Sequence, residues 1–200
     1  MILKVCGITN AEDAAAAIAA GATALGFNFY PRSPRYIDPA KAAEIPSDAG
    51  VRRVGVFVNE TPAHVEEIAR IAALDVAQLH GDEDPEAFPK TVMVWKALRV
   101  TTGFDGSRYD GWPAEALLLD GPASELYGGA GKTFDWHLAG SSSRHIILAG
   151  GLDASNVAEA IEVAHPWGVD ACSRIETAPG KKDHKKMTAF LEAAKAAARS

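Results

Sequence analysis

The chain has 200 residues, 48% of them hydrophobic, enough to bury a core yet short enough that one domain spanning 1–200 is expected. Twenty basic residues against 26 acidic ones give a formal charge of −6, which disfavours a nucleic-acid footprint, and no apolar run approaches the ~18 residues of a membrane helix. The only cysteines, Cys6 and Cys172, are far apart in sequence with no CxxC motif or Cys/His cluster, so neither a disulfide framework nor a metal site is suggested and a reducing cytoplasm fits best. Met1 leads straight into apolar sequence without a basic signal region, so nothing marks the chain for export.

Met1 to Cys6 is a short apolar run followed by Gly7 and then Thr9-Asn10-Ala-Glu12-Asp13, a helix-start signal with acids in the first turn. This reads as a buried strand feeding a helix, with Cys6 at the strand's carboxyl end. Seven more strands are expected near 23–29, 52–58, 75–79, 91–97, 115–120, 144–149 and 168–172, alternating with helices near 10–20, 39–45, 61–73, 84–89, 134–139, 153–164 and 183–198. The clearest helix is 61–73, where Thr61 caps, Pro62 suits the first position, and Val65, Ile68, Ala69 and Ala72 share a face. The poorest is the stretch 101–111, interrupted by Gly103, Gly106 and Trp112-Pro113. Eight β-α units predict an α/β fold, a closed (β/α)8 barrel. The alternative is an open doubly wound sheet, but Cys6-Gly7-Ile8-Thr9-Asn10 lacks the GxGxxG spacing expected after its first strand.

In such a barrel the residues just after each strand share one mouth, where ligands bind. Cys6, His80, Asp120, Gly150-Gly151 and Cys172-Ser173-Arg174 all fall there. Asp120 closes the run Ala116-Leu117-Leu118-Leu119, so its carboxyl group sits at the rim of an apolar interior and is a candidate proton donor. Strands one and six are three apart in a ring of eight, which puts Cys6 and Asp120 across the mouth from each other, as an isomerase acting on a sugar requires. Gly150-Gly151, placed before a helix and beside the loop of strand eight, suits a phosphate. Arg35 lies on a loop stiffened by Pro31 and Pro34 and suits a carboxylate. His80 either contacts a ligand or satisfies a hydrogen bond at the rim, the second being favoured. The segment 121–132 is a Gly-rich loop suited to act as a lid, and its Gly128-Gly129-Ala130-Gly131-Lys132-Thr133 lacks the spacing of a nucleotide P-loop.

Together these motifs resemble the phosphoribosylanthranilate isomerase family, barrel enzymes of tryptophan biosynthesis. The resemblance runs through Lys4-Val-Cys6-Gly-Ile-Thr9, Gly26-Phe-Asn-Phe-Tyr30 with Ser33-Pro-Arg35-Tyr-Ile37, Val54-Gly-Val-Phe-Val-Asn59, Gln78-Leu-His-Gly81, Leu118-Leu-Asp120, Gly128 to Trp136, Ala149-Gly-Gly-Leu152 and Pro179-Gly-Lys-Lys-Asp183. It implies an Amadori rearrangement of a phosphorylated aminoaldose without a cofactor. On this resemblance Asp120 is the general acid and Cys6 the general base. Arg35 holds the anthranilate carboxylate, and the backbone around Gly150, Gly151 and Ser173, with Arg174, holds the phosphate. The implied partner is a small-molecule phosphosugar, with neither nucleic acid nor membrane, and a monomer is favoured slightly over a homodimer. One departure stands out: Cys172-Ser173-Arg174 replaces the family's usual pair of serines and a glycine. Arg174 is expected at φ < 0, with its guanidinium turned outward.

Other aminoaldose phosphate isomerases are the competing enzymes. The isomerase of histidine biosynthesis uses two aspartates where this chain has Cys6 and Asp120. Indoleglycerol phosphate synthase requires lysine and glutamate at strand ends, whereas Lys4 lies within its strand. A non-catalytic phosphosugar-binding barrel would have no need of both proton-transfer groups.

Overall fold

The computed structural model describes residues 1–121 and 134–199. Eight parallel strands close into a barrel in sequence order: β1 (Ile2–Cys6), β2 (Ala24–Asn28), β3 (Arg52–Phe57), β4 (Val76–Leu79), β5 (Met93–Arg99), β6 (Ala116–Asp120), β7 (His145–Leu148) and β8 (Gly168–Ala171). Closure is made by β1 against β8, with Lys4 opposite Asp170 and Val5 opposite Ala171. Among the described residues, no helix is long and apolar enough to cross a membrane.

Period-two alternation gives every strand two destinations. Leu3, Val5, Leu117, Leu119, Ile146, Leu148, Val169 and Ala171 point outward into the main core beneath the helices. The opposite residues fill the barrel with a smaller apolar plug that includes Val54, Val76, Trp95, Leu118 and Ile147. Continuing the alternation toward the carboxyl ends changes the chemistry of the inward positions. On β1 it runs Ile2, Lys4, Cys6; on β8, Gly168, Asp170, Cys172; on β6, Ala116, Leu118, Asp120; on β4 it runs Val76, Gln78, His80. Apolar layers at the bottom therefore give way to polar layers at the mouth.

The outer layer is thinner than the sequence predicts. Among the described residues five α-helices form: α1 (Ala11–Ala19), α2 (Pro39–Glu44), α3 (Pro62–Ile71), α4 (Val157–Ala164) and α5 (His184–Ala197). Asn10 caps α1 through Asp13 N–H, Thr61 caps α3, and Asp183 caps α5. The helices expected at 84–89 and 134–139 are 3₁₀ turns, Pro85–Ala87 and Trp136–Ser141, while the interrupted stretch 101–111 holds only the turn Gly106–Tyr109. The helix expected from 153 begins at Val157, because Asp153 and Asn156 first build a turn. In it Asp153 accepts from Ser155, while the Asn156 amide accepts from Asp153 N–H and donates to the Gly151 carbonyl. After β8 comes a two-stranded ribbon absent from the sequence reading, β9 (Glu176–Ala178) and β10 (Lys181–Lys182), turned at Pro179-Gly180. The lid expected at 121–132 lies, apart from Gly121, outside the described residues.

Candidate active site

A cavity of about 190 Å³ opens at the carboxyl ends of the strands. Cys6, Arg35, His80, Asp120, Gly150, Gly151, Ser173 and Arg174 all line it, so the structure gathers every sequence-predicted site residue at one mouth. Cys6 and Asp120 belong to strands three apart in the ring, as the barrel order requires.

The wall around Cys6 is a buried charge network that sequence reasoning missed. One layer below Cys6, Lys4 Nζ donates to Asp170 Oδ2 at 2.8 Å, with neither side chain appreciably exposed. Behind Cys172, Glu176 accepts from Arg35 Nη2 at 2.7 Å and from Lys182 Nζ at 2.7 Å. Three cations thus face two carboxylates, and one thiolate makes the cluster neutral. The Cys172 thiol, hydrogen-bonded to Cys6, is the strongest influence on it. Burial opposes ionisation, Lys4 and Lys182 favour it, and the balance holds Cys6 well below the ordinary thiol range. Cys172 moves the other way, pushed up by its bond to Cys6 and by burial against the pull of Lys182 and Arg35. The two shifts run in opposite directions, so Cys6 is the more acidic thiol of the pair. Burial works against the Lys4 ammonium, yet Asp170 and Cys6 outweigh it and raise Lys4 above its ordinary value. Asp170 is pushed up to about 7, by burial first and by the negative charge of Cys6, with Lys4 pulling down. Its Oδ1 is buried without a partner among the described residues, and the residue lines the cavity.

Asp120 is held differently. His80 Nε2 lies 3.3 Å from Asp120 Oδ2, and His80 Nδ1 lies 3.0 Å from the Gln78 amide nitrogen. A Gln78 N–H donated to Nδ1 leaves the proton on Nε2, which faces the Asp120 carboxyl group at ion-pair distance. His80 contacts both Gln78 and Asp120 at the rim and also lines the cavity.

Arg35 donates through Nε and Nη2 to Glu176, and Nη1 takes no partner among the described residues. Burial disfavours its charge, but Glu176 outweighs it and raises Arg35 above its ordinary value. Its stem crosses Gly7, where a Cβ would fall 2.8 Å from Arg35 Cδ; the φ of +75° there also calls for glycine. Gly150 and Gly151 take φ of 78° and 67°, two successive left-handed residues that bring backbone to the cavity edge without side chains. Arg174 sits at negative φ in the turn Ser173–Ile175, and its Nε donates to Asp153 Oδ2 at 2.6 Å, tying the β8 loop to the β7 loop.

A closed parallel barrel with a cysteine and an aspartate from strands three apart lining one mouth, beside a turn of two left-handed glycines, has the architecture of a (β/α)8 barrel enzyme acting on a small molecule. The model of the family N-(5'-phosphoribosyl)anthranilate isomerase matches residues 3–193. The chain is 74% identical over 197 residues to the N-(5'-phosphoribosyl)anthranilate isomerase of Solibacter usitatus, covering 98% of each chain. The phosphoribosyl anthranilate isomerase of Thermotoga maritima superimposes with a TM-score of 0.88 at 40% identity, over 98% of this chain and 100% of that one. Another isomerase of the family, solved with reduced 1-(o-carboxyphenylamino)-1-deoxyribulose 5-phosphate, superimposes at a TM-score of 0.84 and 37% identity, over 98% of this chain and 100% of that one. The chain belongs to the phosphoribosylanthranilate isomerase family.

Proposed function

We propose that Cys6 and Asp120 divide the two proton transfers of this chain's reaction, the Amadori rearrangement of N-(5-phospho-β-D-ribosyl)anthranilate in tryptophan biosynthesis. The observation that carries the assignment is that one cavity is lined by Cys6, whose thiol is shifted toward ionisation beside Lys4 and Lys182, and by Asp120, which lies against His80. Asp120 gives its proton to the ribose ring oxygen, the bond from that oxygen to the anomeric carbon breaks, and the anilino nitrogen is left as a cationic Schiff base. That cation acidifies the neighbouring carbon, and the Cys6 thiolate removes its proton. The resulting enolamine tautomerises to 1-(2-carboxyphenylamino)-1-deoxy-D-ribulose 5-phosphate. Cys6 ends as a thiol and Asp120 as a carboxylate, and exchange with solvent resets both.

The phosphate sits against the backbone of Gly150, Gly151 and Ser173, where paired left-handed glycines allow close approach. Arg174 adds positive charge at the rim. Arg35 meets the anthranilate carboxylate through the edge that Glu176 leaves open, and the unpartnered Oδ1 of Asp170 suits a sugar hydroxyl. Purified protein given freshly prepared phosphoribosylanthranilate should extinguish the substrate's fluorescence catalytically. Absence of turnover by the unaltered chain would remove the reading, and the non-catalytic phosphosugar-binding barrel would take its place.

A further inference from the structure

Barrel closure brings together the two cysteines that the sequence separates. Val5 of β1 pairs with Ala171 of β8, and Cys6 and Cys172 are the next residue on each strand. Paired strands run roughly 4.8 Å apart, inside the window of about 4.4–6.8 Å between Cα atoms that a disulfide spans. The side chains share an orientation too, since both line the same cavity. A Cβ built on Gly7, the residue after Cys6, would fall 3.2 Å from Cys172 Sγ, so this sulfur leans over the end of β1. The cavity opens to solvent, and the cations Lys4 and Lys182 act on Cys6. A thiolate beside a thiol in an accessible mouth is the arrangement of a resolving pair.

We propose that Cys6 and Cys172 form a modification site at which a hydroperoxide converts the reduced pair to an intramolecular disulfide, reversibly. The Cys6 thiolate attacks the terminal oxygen of the hydroperoxide. The O–O bond breaks, sulfur is oxidised by two electrons to the sulfenic acid, and the alkoxide or hydroxide departs and takes a proton from water. Cys172 then attacks the sulfenic sulfur, the S–O bond breaks, and the Cys172 proton leaves with the hydroxyl as water. Cys172 thereby shields Cys6 from the further, irreversible steps to sulfinic and sulfonic acids. The disulfide does not depend on the proposed reaction, whereas the accompanying loss of turnover rests on Cys6 being its base.

Fully reduced protein is exposed to hydrogen peroxide, then divided for intact mass, peptide mapping and turnover before and after dithiothreitol. The unaltered chain should lose about 2 Da, yield a cross-linked peptide pair containing Cys6 and Cys172, and lose turnover by at least ~10²-fold, the lower end for removing a positioned base. Dithiothreitol should return most of the starting rate. Cys172→Ser, compared with its own untreated rate, should instead gain oxygen and stay inactive after dithiothreitol. Oxygen gain without the cross-link in the unaltered chain overturns the proposal, as does equal recovery of the two proteins. The peptide map decides the matter if the variant fails to fold. A cross-link that leaves turnover intact sustains the disulfide and removes Cys6 from the proposed mechanism.

Discussion

The two residues proposed to transfer protons occupy opposite kinds of wall. Cys6 stands in a buried, charge-balanced network that draws on β1, β8, the β2 loop and the β9–β10 ribbon, with Lys4, Asp170, Glu176 and Lys182 all enclosed. Among the described residues Asp120 lies against one histidine, itself steadied by Gln78, and both His80 and Asp120 are partly open to solvent. The difference fits the role proposed for each residue. A base that works as a thiolate in a buried place needs fixed cations to stay charged, whereas a carboxyl acid needs orientation and access to a proton. The base side is therefore written into the barrel interior, and the acid side into its rim.

Removing either reacting group tests whether the two walls serve one reaction. Cys6→Ala and Asp120→Asn should each lower kcat by roughly 10²–10⁴-fold, the usual range for a positioned acid or base, with thermal unfolding little changed. Steady-state turnover of both variants checks this, and a variant keeping more than about a tenth of the starting kcat has lost a bystander.

The next largest effect belongs to the base wall alone. Lys4→Met breaks a fully buried pair and should cost about 3–5 kcal/mol of stability, the range for leaving a buried partner unpaired. Losing the cation also raises Cys6, so its alkylation by iodoacetamide should require a higher pH in the variant. Asp170 gives the wall a second pH signature. Folding raises this carboxyl group from 3.8 to about 7, so the folded state binds the extra proton. Its favourable contribution is complete below the unfolded value and is lost as pH rises through the folded one. Urea unfolding measured between these values should show stability falling with pH from this group, and Asp170→Asn should flatten that part of the slope. An unchanged slope would mean that Asp170 titrates alike in both states.

Much of the acid wall was legible in the sequence, and little of the base wall was. Asp120 and His80 are strand-end residues, and counting strands is enough to bring them to the mouth. Lys4 reads as one polar residue inside a strand, because its partner lies 166 positions away and meets it only when β8 closes on β1. The same closure joins Cys6 to Cys172, which the sequence shows merely as distant. Glu176 and Lys182 escape notice because strands of three and two residues carry no periodic pattern, although the Pro179-Gly180 turn between them was a visible signal. The late start of α4 has a local cause: Asp153, Ser155 and Asn156 satisfy one another in a turn before any helix begins.

A smaller effect sharpens the acid side. His80→Ala removes the one side chain that lies against Asp120 among the described residues, at a cost of about 1 kcal/mol of transition-state stabilisation, or roughly fivefold in kcat. KM should stay near its starting value, because the His80 contact positions the proposed acid rather than the substrate. A rise in KM with kcat unchanged would make His80 a binding residue instead.

The smallest expected effect is at Arg174, where the two walls meet the phosphate loops. Its negative φ means that no backbone strain would be relieved by the glycine usual in the family, so Arg174→Gly acts through charge. Arg174 is paired with Asp153, whose own carboxyl group is held below its usual range against burial by bonds from Ser155 and Arg174. Deleting the guanidinium leaves that carboxylate uncompensated beside the substrate phosphate, and like charges repel. KM should rise a few-fold at low ionic strength while kcat holds, the scale of a partly screened surface charge. Raising salt from about 10 to about 300 mM shortens the screening length from roughly 30 to roughly 6 Å, so the gap between the two proteins should narrow. KM values measured across that series decide the matter. A ratio that stays constant at every salt concentration would show that Arg174 acts by tying the β7 and β8 loops together and not by its charge.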